Sequence, residues 1–128
     1  MKKLVFLIPL LWVSILNAQT TLKITAINSP DDALYNQWAE KYLGKQMNIT
    51  FYDNSVNFSV GSLTSNLRLV SSNLYSADLS KSTGEKVTGT LSISSTLSVV
   101  TSATFKITIQ ELKGKQRRTY VQMIGKRF

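Results

Sequence analysis

An alternation of side-chain character constrains this chain more than any other feature. Over residues 103–124, Phe105, Ile107 and Ile109 interleave with Lys106, Thr108 and Gln110. Lys113-Gly114-Lys115 then breaks the run, and a second run follows with Val121 and Met123 on one side and Tyr120 and Ile124 on the other. Successive side chains of a strand point to opposite faces, so two such runs about a glycine break read as an antiparallel hairpin. The same period of two starts at Met47 and recurs: Met47, Ile49 and Phe51; Val56, Phe58 and Val60; Leu67 and Leu69; Tyr75, Ala77 and Leu79; Val87, Leu91 and Ile93. Asp53-Asn54-Ser55, residues 61–65, Ser71-Ser72-Asn73 and residues 81–86 supply the breaks, and Gly89 reads as a bulge. Apolar odd positions continue through Leu97, Val99, Ala103 and Phe105. One strand over 87–109 exceeds ordinary strand lengths, which places a turn at Ser94-Ser95-Thr96 or, second to it, at Thr101-Ser102.

Upstream the pattern differs. Leu22, Ile24 and Ala26 alternate with Thr21, Lys23 and Thr25, a first strand. Ser29-Pro30-Asp31-Asp32 is a helix start, with Ser29 as N-cap, Pro30 at the first position and two carboxylates at the positive end of the helix dipole. The helix spans about residues 30–43, with Gly44 just beyond it. Its apolar residues Leu34, Tyr35, Trp38, Ala39, Tyr42 and Leu43 form one broad stripe.

Residues 1–18 combine the basic start Met1-Lys2-Lys3, an apolar run over 4–16 and the ending Asn17-Ala18, the layout of a secretory signal peptide cut after Ala18. The ending Leu16-Asn17-Ala18-Gln19 resembles bacterial export signals. The apolar run is shorter than the roughly 20 residues a spanning helix needs. What remains, residues 19–128, is a single β-rich domain expected in the periplasm or outside the cell and not integral to a membrane. Phe128 invites comparison with outer-membrane barrels, but the face two residues back at each step is Lys126, Ile124, Gln122 and Tyr120, a poor match to lipid. Of 15 Lys and Arg, two leave with residues 1–18, so the domain carries 13 against seven acidic residues, a net charge of +6.

The chain contains no His and no Cys. That removes the commonest general base, the commonest nucleophile pairs and most zinc geometries. No calcium loop or Gly-rich phosphate loop is present. The expectation is a protein without catalysis, cofactor or metal.

One helix with an apolar stripe and a meander with an apolar face should bury each other. The expected class is mainly β (α+β), one amphipathic helix packed on an antiparallel meander. The meander either closes into a small barrel with the helix over one mouth, or stays open and wraps the helix as in cystatin-like folds. The Gln-x-Val-x-Gly loop of cystatin inhibitors is absent. The run Gly89-Thr90-Leu91-Ser92-Ile93 to Phe105-Lys106-Ile107, closed by Tyr120-Val121-Gln122-Met123, loosely resembles the later strands of small secreted lipocalin-like domains. Their Gly-x-Trp has no counterpart here, since Trp38 falls in the helix. The resemblance implies a barrel holding an apolar ligand.

Two functions follow. One is a binding module for a small apolar or amphipathic ligand, held by Phe51, Phe58, Phe105 and Ile107. The other is an interaction protein whose basic hairpin, Lys113, Lys115, Arg117 and Arg118, engages an anionic envelope component or a protein. Specific nucleic-acid binding is not expected, because only Tyr120 accompanies the basic residues as a stacking partner. A dry cavity lined by the four apolar residues favours the first function, and a filled core with clustered surface cations favours the second.

Overall fold

The computed structural model describes residues 19–81, 84–97, 99–114 and 117–127, so the proposed signal segment over 1–18 lies outside the described residues. Eight strands form a closed antiparallel barrel in sequence order: β1 (Gln19–Asn28), β2 (Gln46–Phe51), β3 (Ser55–Val60), β4 (Leu63–Ser71), β5 (Leu74–Asp78), β6 (Glu85–Thr96), β7 (Val99–Glu111) and β8 (Arg118–Lys126). Helix α1 (Asp32–Tyr42) joins β1 to β2. Closure comes from β1, which pairs with β2 from Gln19↔Thr50 to Lys23↔Gln46 and with β8 from Lys23↔Lys126 to Asn28↔Gln122. Full closure leaves no strand edge unpaired, a hazard that an open wrap would have had to cover.

The alternation sorts inside from outside. Leu22, Met47, Ile49, Leu67, Val121 and Met123 are fully buried. The outer wall carries Thr21, Lys23, Asn57, Asn66, Arg68 and Gln122. Phe58 on β3 and Phe105 on β7 come from opposite walls and stack across the lumen, their ring centroids 4.2 Å apart at 21°.

Bulges adjust this sorting. In β1, Ile24 pairs with Gly125 and Ala26 with Ile124, leaving Thr25 as an extra residue. The extra residue flips the parity, so Ile27 rather than Ala26 enters the core. In β7, Ser94 pairs with Ser102 and Ser95 with Val100, which makes Thr101 the extra residue. Val100 therefore packs on the core and the expected Val99 is exposed. The turn between β6 and β7 is at Leu97, later than Ser94-Ser95-Thr96, because those three residues remain in the ladder. Gly89 is no bulge. It pairs regularly with Ala77 and Ile107, and its missing Cβ makes room for Leu79, whose Cδ1 would lie 2.8 Å from such an atom. The expected loop over 61–65 is only Gly61-Ser62, with Val60 and Leu63 paired across it and φ of 57° at Gly61. A Gly-Ser pair with positive φ at the glycine suits the twist of a tight hairpin.

The helix starts two residues later than expected. Asp31 is the N-cap, its carboxylate accepting from the amides of Ala33 at 2.9 Å and Leu34 at 3.2 Å. The Ser29 hydroxyl accepts from the Asp31 amide and donates to the Tyr120 carbonyl at 2.6 Å, tying the helix entrance to β8. Gly44, at φ of 84°, ends the helix as a C′ residue, and its amide donates to the Ile24 carbonyl at 2.9 Å. The apolar stripe is narrower than expected: Tyr42 is buried and Trp38 and Ala39 pack on the core, whereas Tyr35 and Leu43 are exposed.

Candidate functional site

Antiparallel order gives the barrel two unlike ends. The helix end carries α1, the Gly61-Ser62 turn and the β5–β6 and β7–β8 connections. The terminal end carries Gln19, Arg127 and the other three hairpin turns. At the helix end α1 packs against β1 and β8. The opposite side of that mouth, between β3–β4 and β5–β6, is open and forms a depression of about 570 Å³. Leu63, Leu79, Val87 and Ile107 give it an apolar lining, and Ser65, Asp78, Lys81 and Glu85 also face it. Ser65 is the one buried polar side chain among the described residues, and it occupies an inward position of β4 between Leu63 and Leu67.

The lip of this depression is pinned. The Leu79 amide donates to the Val87 carbonyl at 2.8 Å, and the Ser80 amide donates to the Asp78 carboxylate at 2.9 Å. The Val87 amide donates to the Ser80 hydroxyl at 2.9 Å. That hydroxyl has one proton and two acceptors, the Asp78 carboxylate and the Val87 carbonyl at 3.4 Å. Ser80, through its hydroxyl and then its amide, holds the Asp78 carboxyl below the usual carboxylate range, with Lys86 adding a smaller pull the same way. Glu85 stands directly across the ladder from Glu111.

The four residues expected to hold a ligand do not line one cavity. Phe58 and Phe105 are the buried stack that fills the middle of the barrel. Ile107 faces the helix-end depression. Phe51 faces another, of about 490 Å³ at the terminal end, beside Thr21, Val99 and Arg127. Packing across a closed barrel accounts for this, since two phenyl rings from opposite walls occupy the space a deep ligand would need. Leu63, Ser65, Leu79 and Val87 were missed. Ser65 was the available signal, a hydroxyl at an inward-facing position of an alternating run.

Of the basic hairpin, Lys113, Arg117 and Arg118 are exposed, and Lys115 lies outside the described residues. Gly114 has φ of 71° at the turn, and the Glu111 amide donates to the Arg117 carbonyl at 2.8 Å. Arg118 pairs with Gln110, which pairs with Lys86, and this row lines an outer groove of about 240 Å³ with Thr88, Thr90 and Thr108. The face of the Tyr120 ring is covered by the Lys106 ammonium, 4.4 Å from its centroid. Trp38 and Tyr42 lie 5.0 Å apart and tilted, with Tyr42 buried, so the helix aromatics do not form a flat platform.

Among the described residues, no group of three or more His, Cys, Asp or Glu is placed to hold a metal ion, and no helix is long and apolar enough to cross a membrane. Comparison with family models, with curated proteins and with solved structures gave no match for this chain.

Proposed function

We propose that this protein is an exported, non-catalytic binding module that takes a small amphipathic ligand at the open side of its helix-bearing mouth. One observation carries the reading: an apolar depression, about 570 Å³ in volume, opens beside a polar lip at an otherwise well-packed barrel mouth. Pockets of this size and character are the usual form of small-ligand sites. Leu63, Leu79, Val87 and Ile107 would take the ligand's apolar part, and Ser65 would offer it a hydroxyl. At the lip, two carboxylates, Asp78 and Glu85, outnumber Lys81, which favours a neutral or cationic head. The layout of residues 1–18 supports export, and the likeness to lipocalin-like domains points to the same ligand class.

The test uses pyrene-labelled alkylammonium and fatty-acid probes of equal chain length. The ammonium probe is expected to bind saturably and more tightly than the fatty acid. Leu79→Gln should weaken it by about tenfold or more, the loss expected for one buried aliphatic contact, measured well below the lowered melting temperature expected for a side chain that also packs on the core. Absence of saturable binding by either probe, or an unchanged Leu79→Gln variant, would overturn the reading.

A second reading rests on the filled core at Phe58 and Phe105, the outcome that favours an interaction protein, and on the Lys86–Gln110–Arg118 row, which extends the basic hairpin onto the outer wall. It proposes that this face engages an anionic envelope component or an acidic protein. Salt-sensitive retention on heparin that is lost in Lys86→Gln/Arg118→Gln supports it, and unchanged elution rejects it.

A further inference from the structure

The terminal end of the barrel combines two features that the ligand reading leaves unused. The first is a ring of exposed apolar side chains, one or more on each of its three hairpins. Tyr52 lies between β2 and β3, Leu69 and Val70 at the end of β4, and Leu97 and Val99 at the β6–β7 turn. Leu97 is 92% exposed and holds φ of 54°. Leucine gains nothing from that left-handed conformation, which glycine or asparagine adopts at lower cost. A leucine held in that conformation in water at a hairpin tip serves neither the core nor the turn, which motivates the search for a surface that it meets.

The second feature is a run of cations that leads from the middle of the outer wall at Lys23 to this rim at Lys126 and Arg127. Lys23 and Lys126 stand directly opposite one another across β1 and β8, both on the outer wall. Like charges in that register repel, which disfavours the pair unless an anion joins it. Arg127 follows at the rim, its guanidinium donating to the Val100 carbonyl at 3.4 Å, and lines the depression of about 490 Å³ with Gln19, Thr20, Thr21 and Val99. The cross-strand neighbours of this run are Gln46 and Ser102, both uncharged. Six of the seven Asp and Glu side chains lie in or beside the helix-end connections, and of these seven only Asp53 is at the terminal end.

Aliphatic and aromatic tips on one end of a barrel, with a run of cations leading to them, match the layered chemistry of an anionic bilayer. Apolar tips enter the boundary below the headgroups, and Lys and Arg meet the phosphates. We propose that the terminal end of this barrel docks on an anionic lipid membrane, with Leu97, Val99, Val70 and Tyr52 at the interface and Lys23, Lys126 and Arg127 on headgroup phosphates. The helix-end depression then opens away from the membrane. Ordinary charge and polarity on the side walls leave the barrel perched on the surface rather than immersed in it.

Protein recovered from an exporting host, with its N-terminus read by sequencing, is sedimented with vesicles of phosphatidylglycerol and phosphatidylethanolamine and, separately, of phosphatidylcholine alone. The wild type is expected to bind the anionic vesicles and to be released in about 1 M salt, where the screening length falls to about 3 Å. Leu97→Glu should lower binding by about tenfold or more, from the lost apolar insertion. Lys126→Gln and Arg127→Gln should each lower it about fivefold, the factor for one cation at an anionic surface. Lys41→Gln on α1, at the other end and outside the basic hairpin, serves as a control and should bind as the wild type does. Equal binding to both vesicle types, or rim variants that bind like the control, would overturn the proposal. So would a concentration-dependent dimer abolished by Leu97→Glu, because the rim would then be covered by a second copy.

Discussion

At the scale of single residues, two glycines show how closely the barrel is packed and where it can yield. A Cβ on Gly125 would lie 3.0 Å from the Met47 Sδ and 3.2 Å from the Leu22 Cβ, atoms on two neighbouring strands of the fully buried wall. The Leu22 Cβ moves only with its backbone, so Gly125→Ala is expected to lose about 1–3 kcal/mol as overpacking does. At Gly89 the close atom is the Leu79 Cδ1, the far end of a flexible side chain at the mouth. Gly89→Ala should therefore be milder in chemical denaturation but should disturb probe binding, because Leu79 lines the depression. Asp78 adds a pH signature. Its folded carboxyl is held below the ordinary range by the Ser80 hydroxyl and amide. A depressed value means that its stabilisation is complete above the unfolded value of about 3.9 and is lost as pH falls through the lower folded value. The melting-temperature gap between wild type and Asp78→Asn is expected to be constant near neutral pH and to close below about pH 4. A gap that persists in acid would mean that ionisation of Asp78 is not its source.

At the scale of elements, β1 carries the least obvious lesson. Its composition reads as simple alternation, Leu22, Ile24, Ala26, yet the extra residue Thr25 turns Ala26 outward opposite Ile124 and Ile27 inward opposite Met123. A bulge buries a different residue set without changing the composition of the strand. Ile27→Asn is thus expected to destabilise by roughly 2–4 kcal/mol, burying an amide in place of a core side chain. Ala26→Asn should stay within about 1 kcal/mol as an outer-wall change. Urea denaturation of the two variants side by side checks this, and the reverse order would place the register one residue away. The helix follows the same logic. Its existence was legible from Pro30, Asp31, the spacing of Leu34, Trp38 and Tyr42, and Gly44. Ser29 was taken from the cap by a longer-range partner, the Tyr120 carbonyl, and Asp31 capped instead. Strand ends shifted for similar reasons, since Ser94, Ser95 and Thr96 look like a turn in isolation but have partners in β7.

On the scale of the whole molecule, closure separates the two ends and gives them different chemistry. The helix end pairs an apolar depression with most of the carboxylates, and the terminal end pairs apolar tips with Lys23, Lys126 and Arg127. The Phe58–Phe105 stack lies between them and blocks a passage through the lumen. The sequence by itself determined the β-rich class, the single helix and its place after the first strand, the hairpin of β7 and β8, and most of the inward faces. All of these follow from local periodicity and capping, which act over a few residues and are written in side-chain chemistry. Tertiary structure decided the rest. Closure depends on β1 meeting β8, about a hundred residues away in a chain of 128, and no local pattern encodes a partner at that distance. Bulge positions depend on which residue of a pair finds the core when two twisted strands meet. The depression at Leu63, Ser65, Leu79, Val87 and Ile107 gathers residues from β4, β5–β6 and β7, on the side of the mouth that α1, packed on β1 and β8, leaves uncovered.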